Sequence, residues 1–521
     1  MKNQIGLPFG SIKGSLKRPL STMLGTLLKV VLLFILSFIS WNYAGFLFLF
    51  FLSYFIWELD KKAIEKKFGS YVMSSLLFLS TWHFGALTWM IDVDMGLAGL
   101  VCNLVIYCIP LLLFYWVRSS SVGSVYAFLA IFLIFEFWLN SISFSYPWLT
   151  LGNVFSNQIF LVQWYEYTGV LGGSLWLLLL STLGVGIINR KKKLLGFVVV
   201  FCVPVLFSLF LLVMKDYKED KLVRIGTIDI EGAMKRVGDK EVAYHIYRSF
   251  KNERDLDAIL IPELTFRGLD KEKVTSSFVY NQLKRLVKTG ITKTVYFGST
   301  LVDEKVNITN SLVILRAVDT DAPWIKNKSK LVPWNEYLPS SIARWFKKSF
   351  FANNVKDDFK AISESSLPIP FICYEIFYSF FSNENLNFGK PMVLLSSEEF
   401  LNNSYFGKKQ YNNFLKVRAI ETRAPLVKAS NFGETCYIDA YGEMTLVDNE
   451  KFVFEFYDSV RNDGATMYNT IINNAGKSIF LFIFCLFLCI DVFIYKLFNR
   501  GSLNIHFHSI VKSLNDDPRQ V

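Results

Sequence analysis

Pro-Phe-Ile-Cys-Tyr-Glu-Ile-Phe, Pro370 to Phe377, reads as a short apolar strand, Pro370–Ile376, carrying a single thiol, Cys373, with a carboxylate, Glu375, two residues on. It lies in a polar block, about residues 219–460, held between long apolar runs. Upstream, Ile261-Pro262-Glu263 closes another apolar strand, and Lys328-Ser-Lys-Leu-Val-Pro-Trp-Asn-Glu336-Tyr337 adds lysines and a further carboxylate. A thiol, a candidate base and a candidate cation therefore each fall at a strand end or in an adjoining loop. That combination points to covalent acyl transfer, and the flanking apolar runs put it at a membrane surface.

Around that stretch the pattern alternates strand, loop and helix. Strands are expected at Val223–Ile230, Ala258–Leu264, Thr294–Leu301, Ser311–Arg316, Met392–Ser396, Leu426–Ala429 and Thr435–Ile438, all short, apolar or β-branched, and bounded by Gly, Pro, Asn or Asp. Amphipathic helices fall between them, for example Asn412–Arg423 with Phe414, Val417 and Ile420 on one face. Alternating elements of this kind build an α/β layered domain.

The rest of the chain is built for lipid. Of 521 residues, 52% are hydrophobic and only 19% charged, and mean hydropathy is +0.34; a soluble protein would carry about 25% charged residues. Apolar runs near 24–40, 44–58, 71–91, 97–117, 122–139, 169–188, 194–214 and 478–497 predict eight spans. The net charge of +11 suggests nucleic acid only until its placement is read. Lys13, Lys17 and Arg18 precede the first run, Lys61, Lys62, Lys66 and Lys67 follow the second, Arg118 the fourth, Arg190–Lys193 the sixth, and Lys496 and Arg500 the eighth. With eight spans these clusters share one side, while Asp92, Asp94 and the polar block lie on the other. The positive-inside rule then makes both termini cytoplasmic and exports the block, and nucleic-acid binding is not expected. The N-terminus does not read as a cleavable signal peptide, since its apolar stretch is long and lacks a small-residue cleavage site.

The expected division is a membrane domain over 1–217, with an aromatic interfacial segment near 140–168, an extracytoplasmic domain over 218–465, an eighth span within 470–499, and a cytoplasmic tail over 500–521. Phe and Trp residues of 140–168 could line substrate access or form an interfacial belt.

A thiol accepts an acyl group well only as a thiolate, and free Cys has a pKa of about 8.5, so Cys373 needs a base or a positive field beside it. The polar block has one His, His245, far from Cys373 in sequence, which argues against a Cys-His design. Glu263 is then the natural base, since partial burial would raise its pKa toward neutrality. A lysine from the 326–330 stretch would stabilise thiolate and oxyanion. Each residue alone has a plainer reading: a strand Cys as core, Glu263 as a helix cap, the lysine as solvated surface. Five of seven cysteines lie in apolar runs, Cys373 and Cys436 could pair in an oxidising compartment, and no Cys/His spacing resembles a metal site.

The order Glu, Lys, Cys resembles the nitrilase superfamily, whose triads sit on an αββα sandwich, and more closely its membrane-embedded branch, the apolipoprotein N-acyltransferase family. The motif Lys-x-x-Leu-Val-Pro-Phe-Gly-Glu-Tyr corresponds to Lys328–Tyr337, Ile-Cys-Tyr-Glu to Ile372–Glu375, and Pro-Glu to Pro262–Glu263. Tyr146-Pro-Trp-Leu-Thr-Leu-Gly-Asn153, the Gly-Val-Leu-Gly-Gly stretch from Gly169, and Arg418-Ala-Ile-Glu421 match as well. The resemblance implies seven spans, an inserted periplasmic nitrilase-like domain and an eighth span, in the bacterial inner membrane. It implies catalytic Glu263, Lys328 and Cys373, the spacing selecting Lys328 over Lys326 and Lys330. Glu336 and Glu375 are implied as supporting carboxylates that fix Lys328 and the amine, with a backbone N–H near Tyr374 at the oxyanion. The implied partners are a phospholipid acyl donor and a diacylglyceryl-modified apolipoprotein acceptor; the protein is expected to be monomeric, and no cofactor is implied.

Departures from the family pattern fall at Asp229, where the family has Gln-x-Asn and this chain Ile228–Glu231, and at Asn335, Glu398 within Ser397–Phe400, and Tyr411. None lies in the triad; all could reshape the pocket. A membrane-tethered amidase, with water as acceptor, and a non-catalytic lipoprotein-binding protein stay open as alternatives.

Overall fold

The computed structural model describes residues 12–93, 95–143, 145–189, 194–215, 221–230, 237–317, 322–338, 351–352, 357–384, 390–447, 451–458 and 465–515. Asp94, the Arg190–Lys193 cluster, Glu231 and the last six residues of the expected tail lie outside these.

Seven helices come first: α1 (Ile12–Asn42), α2 (Phe48–Ile64), α3 (Phe68–Ala86), α4 (Gly96–Ser119), α5 (Ala127–Ser141), α6 (Tyr165–Ile188) and α7 (Leu194–Val213). Helices thus occupy all the expected apolar runs before the polar block, with α2 separated from α1 by a turn at 43–47. Stretches of α1, α4, α6, α7 and the C-terminal helix are long and apolar enough to cross a membrane. Of the remaining three, α5 has 15 residues and α2 has 17, with Glu58, Asp60, Lys61 and Lys62 in its last turns. The predicted run 71–91 breaks at Leu87 into a short 3-10 stretch, Thr88–Asp92.

Charged side chains join the helix ends that carry the basic residues. Arg118 Nε donates to Asp60 Oδ1 at 2.5 Å and its Nη1 to Tyr495 Oη at 3.2 Å, while Asp491 accepts from the Ser124 N–H and hydroxyl. Arg118 lies about 33 Å along α4 from Gly96 at ~1.5 Å per residue.

The polar block folds as β1 (Lys221–Ile228), α8 (Asp239–Phe250), β2 (Ala258–Asp270), α9 (Phe278–Lys288), β3 (Thr294–Val302), β4 (Ile308–Arg316), β5 (Trp324–Asn327), α10 (Phe359–Glu364), β6 (Ile369–Ile372), α11 (Ser379–Glu384), β7 (Met392–Ser397), α12 (Tyr405–Thr422), β8 (Leu426–Asn431), β9 (Thr435–Ile438), β10 (Met444–Val447) and β11 (Lys451–Asp458). One sheet runs β11-β1-β2-β3-β4-β5 and the other β10-β9-β8-β7-β6; β1-β2-β3 and β6-β7-β8 are parallel and the other pairs antiparallel. Period-two alternation divides β2 between two cores: Ile259 and Ile261 pack with Ile246, Phe250, Leu283 and Leu286 of α8 and α9, while Ala258 and Leu260 join Phe371, Leu394 and Val427 of the second sheet. With α12 against the second sheet, the result is an αββα sandwich. Its parallel strands are covered on both faces, which explains their nearly unbroken apolar runs.

After the sandwich come α13 (Met467–Ala475) and α14 (Ser478–Asn515). Helix α14 runs unbroken past residue 500, so among the described residues no separate tail element begins there.

Two expectations are corrected. The strand expected over Pro370–Ile376 ends at Ile372, because Cys373 takes φ +45° and opens a short 3-10 turn, Cys373–Phe377. Helix α12 is longer than Asn412–Arg423 and buried nearly all round, including Gln410, Asn412, Asn413, Arg418 and Glu421. It is clamped between the second sheet and the membrane helices, so the face opposite its apolar stripe finds protein rather than water.

That clamp is also where the 140–168 segment goes. Its 3-10 turns, Pro147–Leu149, Leu151–Asn157 and Ile159–Leu161, bury Trp148, Leu149, Leu151 and Phe155 under the sandwich, while Phe160 stays exposed. Gln410 of α12 uses its whole carboxamide here: Oε1 accepts from Trp89 Nε1 (3.1 Å) and Trp148 Nε1 (2.9 Å), and Nε2 donates to Asn42 Oδ1 (2.9 Å) and the Ala86 carbonyl (2.8 Å). Two motifs that looked independent in sequence also meet. Glu421 Oε1 accepts from Val170 N at 2.6 Å while its Oε2 pairs with Arg418 at 3.0 Å. The neighbouring Gly169, at φ +64°, leaves no room for a Cβ, which would stand 2.3 Å from the Tyr468 ring.

Candidate active site

The catalytic candidates converge from both sheets: Glu263 lies within β2, which runs on to Asp270 rather than ending at Leu264 as expected, while Lys328 directly follows β5 and Cys373 directly follows β6, the last strand of each sheet. Within β2, after Ile261, the pairing to β3 shifts register, and Leu264 takes φ +56°. That irregularity turns Glu263 off the ladder. Gly298 of β3 makes the approach possible, since a Cβ there would lie 2.5 Å from Glu263 Cα. The left-handed conformation at Cys373 is one that β-carbon-bearing residues rarely adopt without compensating contacts. Here Glu375 supplies them: its Oε2 accepts from the Ile372 N–H at 2.8 Å and pairs with Lys326 Nζ, and its Oε1 accepts from Ser329 N at 2.6 Å.

Lys328 donates to Glu263 Oε1 at 2.9 Å and to Glu336 Oε1 at 2.8 Å. Glu336 Oε2 accepts in turn from Val332 N at 2.8 Å, closing the loop that carries both residues. Glu375 does not touch Lys328; it holds Lys326 and the backbone of the neighbouring Ser329. Tyr374 points its hydroxyl at the Ser145 carbonyl (3.0 Å) and stacks on Tyr146, so its side chain secures the sandwich to the membrane domain.

Three contributors escaped the sequence reading. Asn310 Nδ2 donates to Glu263 Oε1 at 2.7 Å and to Glu336 Oε1 at 3.2 Å. The Ser397 N–H donates to Glu263 Oε2 at 2.8 Å. The Ser396 hydroxyl meets Tyr411 Oη at 3.0 Å and slightly opposes the rise of the Cys373 thiol pKa. A polar pair, Asn310-Ser311, in an otherwise apolar strand was the one available signal; backbone donors leave none.

Glu263, Lys328 and Cys373 are all buried. Burial raises the Glu263 carboxyl above its usual range, with Lys328 opposing and Glu336 adding to the rise. Burial pulls Lys328 down, but interaction with Cys373, Glu263 and Glu336 more than offsets this and holds it charged. The Cys373 thiol is pushed up to about 12 by burial and by Glu263, against the pull of Lys328. The resting arrangement is therefore a neutral thiol beside a carboxylate that can receive its proton, with one ammonium shared between two carboxylates. Cys373 and Cys436 are both unpaired.

The triad opens into a cavity of about 490 Å³ whose wall includes Asp92 and Val93 of the membrane domain. Val93, Val332, Asn335 and Phe400 also line a second, largely apolar groove of about 370 Å³ running along α4. Of the departure residues, Asn335 sits at this junction, Tyr411 contacts Ser396, and Glu398 is buried against Lys428.

The fold and cluster thus define a class: a bundle of apolar helices bearing an αββα sandwich in which Glu263, Lys328 and Cys373 line one cavity. Residues 31–183 match the family model described as the apolipoprotein N-acyltransferase N-terminal domain. The chain is 25% identical to the apolipoprotein N-acyltransferase of Chlorobaculum tepidum over 427 residues, covering 73% of this chain and 79% of that relative. It is 24% identical to that of Coxiella burnetii, covering 71% and 78%, and 28% identical to that of Haemophilus influenzae, covering 42% and 43%. Matches over some seven-tenths of the chain are too long to be confined to the membrane part, so the similarity to apolipoprotein N-acyltransferases extends into the sandwich. Among solved structures, a Saccharomyces cerevisiae member of the nitrilase superfamily aligns with 48% of this chain and 94% of its own, at 13% identity and TM-score 0.31.

Proposed function

We propose that this protein moves a fatty acyl chain from a phospholipid to the N-terminal amine of a diacylglyceryl-cysteine apolipoprotein. In the first step Glu263 takes the Cys373 proton as sulfur attacks the phospholipid ester carbonyl. The C–O bond breaks, the proton passes from Glu263 to the departing alkoxide, and a lysophospholipid leaves a thioester on Cys373. In the second, the lipoprotein amine attacks the thioester, Glu263 accepts the amine proton, and the thiol is restored as the amide forms. Lys328 stabilises the oxyanion of both tetrahedral intermediates, with a backbone N–H near Tyr374 as second donor. Glu336 holds Lys328, and Glu375 holds it indirectly through Ser329.

The observation that carries this reading is the cavity. It joins Cys373, Glu263 and Lys328 to a wall supplied by the membrane domain and shares Val93, Val332, Asn335 and Phe400 with an apolar groove along α4. A hydrolase of small soluble amides needs neither. The proposed setting is the bacterial inner membrane, with the sandwich on the periplasmic side and both termini in the cytoplasm. The link between Arg118, Asp60 and Tyr495, far along α4 from the cavity, supports the shared side of the basic clusters.

The test is intact mass of the full-length protein in phospholipid, before and after neutral hydroxylamine, beside Cys373→Ala. A hydroxylamine-labile acyl adduct absent from the variant is expected. Free fatty acid without an adduct would indicate hydrolysis instead, and neither product would indicate a binding protein.

The pH profile of adduct formation follows from the Glu263 shift. The base works only when deprotonated and its folded pKa is raised, so acylation should fall as pH drops through a value above the ordinary glutamate pKa of about 4.3. Because Glu263, Lys328 and Cys373 share their protons, the acid limb belongs to the set. A limb at or below the ordinary value would contradict this assignment.

A further inference from the structure

The α4 groove is largely apolar, with Asn103, Ser145 and Asn335 among its lining. Asn103 is 3% exposed and lines the groove, and neither its Nδ2 nor its Oδ1 has a hydrogen-bond partner. Leaving a buried carboxamide unsatisfied is expensive, roughly the full desolvation of the group, and more so on a helix apolar enough to span lipid. Ser145, also in the lining, is already engaged, its hydroxyl donating to the Leu139 and Ile142 carbonyls. Tyr107, one turn deeper on the same face of α4, also has an unpartnered hydroxyl, but it is walled in by the rings of Trp82, His83 and Phe135 and does not line the groove. Asn103 alone combines an unmet hydrogen-bonding requirement with access to a space that can receive a ligand.

Its position indicates which group that is. Trp334 packs over Gly99, and Asn103 lies one turn further in, about 6 Å along the helix at ~1.5 Å per residue. The loop that carries Trp334 also carries Asn335, at the junction with the Cys373 cavity. A donor whose reacting ester is at Cys373 has one more polar group close by in its apolar portion, the ester of the chain that is not transferred. We propose that the groove holds the retained acyl chain of the phospholipid donor and that Asn103 Nδ2 donates to the carbonyl of its ester. This rests on the acyl-transfer reading and adds to it a residue that distinguishes a diacyl lipid from a monoacyl one.

The experiment measures the rate of acyl-adduct formation by intact mass on the full-length protein, with dipalmitoyl phosphatidylethanolamine and with its monoacyl (lyso) form as donors, for wild type and Asn103→Leu. Wild type is expected to acylate faster from the diacyl donor. Asn103→Leu should lose about tenfold with that donor, the scale of one hydrogen bond to a buried group, and change little with the monoacyl donor, which lacks the second ester. Thermal midpoints separate this from misfolding: removing an unsatisfied carboxamide should leave the apoprotein as stable as wild type or more so. An equal loss with both donors, or no loss with either, overturns the proposal. A variant that is normal with both donors but slower only in passing the acyl group to a lipoprotein also overturns it, placing the acceptor in the groove. No adduct in wild type with either donor would instead sink the acyl-transfer reading.

Discussion

Lys328→Met is expected to slow acyl-adduct formation by about three orders of magnitude and to destabilise the protein as well. The catalytic part follows from charge. A single preorganised donor at an oxyanion is worth about a hundred- to a thousandfold, and Lys328 also holds Glu263, donating to it at 2.9 Å. Without the ammonium, the buried Glu263 and the partly buried Glu336 would face each other as carboxylates that share Asn310 as donor. One of them must then take a proton, and Glu263, already raised by burial, is pushed further from its working form at neutral pH. The structural part follows from breaking a buried pair, which costs about 3–5 kcal/mol when one partner is removed. Lys328→Arg keeps the charge but replaces a point donor with a planar fork, so it should fold nearly as well as wild type and remain slow. Adduct rates and thermal midpoints of both variants check this. Lys328→Met acylating within tenfold of wild type would remove Lys328 from the mechanism.

What the sequence made legible and what it hid divide along a physical line. Strand positions read well, because β-branched and apolar runs stopped by Gly, Pro, Asn or Asp locate them, although β2 runs on to Asp270 past the expected end at Leu264 and β4 begins at Ile308, before Ser311. The strands at Thr294 and Met392 were located to within a residue in this way. The strand at Cys373 was read too long, because a left-handed backbone at a non-glycine residue leaves no mark in composition and is held by Glu375, Lys326 and Ser329 through space. Glu336 and Glu375 were read together as carboxylates that fix Lys328 and the amine, and spacing alone could not say which lysine each meets: Lys326 and Lys328 are two residues apart on an extended segment, and the partner of each depends on the sheet's register. Strands Trp324–Asn327, Met444–Val447 and Lys451–Asp458 were missed, being short or interrupted by charge at the sheet edges. In the aromatic stretch at 140–168 nothing local distinguishes Trp148 and Phe155, which the sandwich covers, from Phe160, which stays exposed. The partner of that stretch, α12, looked half-exposed for the same reason.

The departure at Glu398 leads to the second large effect. A carboxylate fully buried beside the strand that orients Glu263 looks like a defect, yet Lys428 Nζ meets Glu398 Oε1 at 2.5 Å and Asn412 Oδ1 at 2.5 Å, and Ser430 donates to Glu398 Oε1 at 3.0 Å. The ammonium also lies 4.9 Å from the centre of the Tyr411 ring, so two of the four departures are parts of one cluster. Lys428→Met should therefore lower stability by about 3–5 kcal/mol, because it strands a buried charge. Removing both charges in the Lys428→Met, Glu398→Leu double variant should recover most of that loss, since an apolar replacement of similar volume often matches a buried pair; the interaction term of the cycle is then large and opposite in sign to the single effects. Recovery need not extend to activity. Glu398 follows Ser397, whose N–H holds Glu263 Oε2 at 2.8 Å, so a repacked turn after β7 loosens the base even in a stable protein. Thermal midpoints of wild type, both single variants and the double variant, measured alongside adduct rates, decide the matter. Additive losses in stability would mean the pair is not the unit its geometry describes, whereas a stable but slow double variant would show that this chain keeps its buried ion pair to hold Glu263 in place.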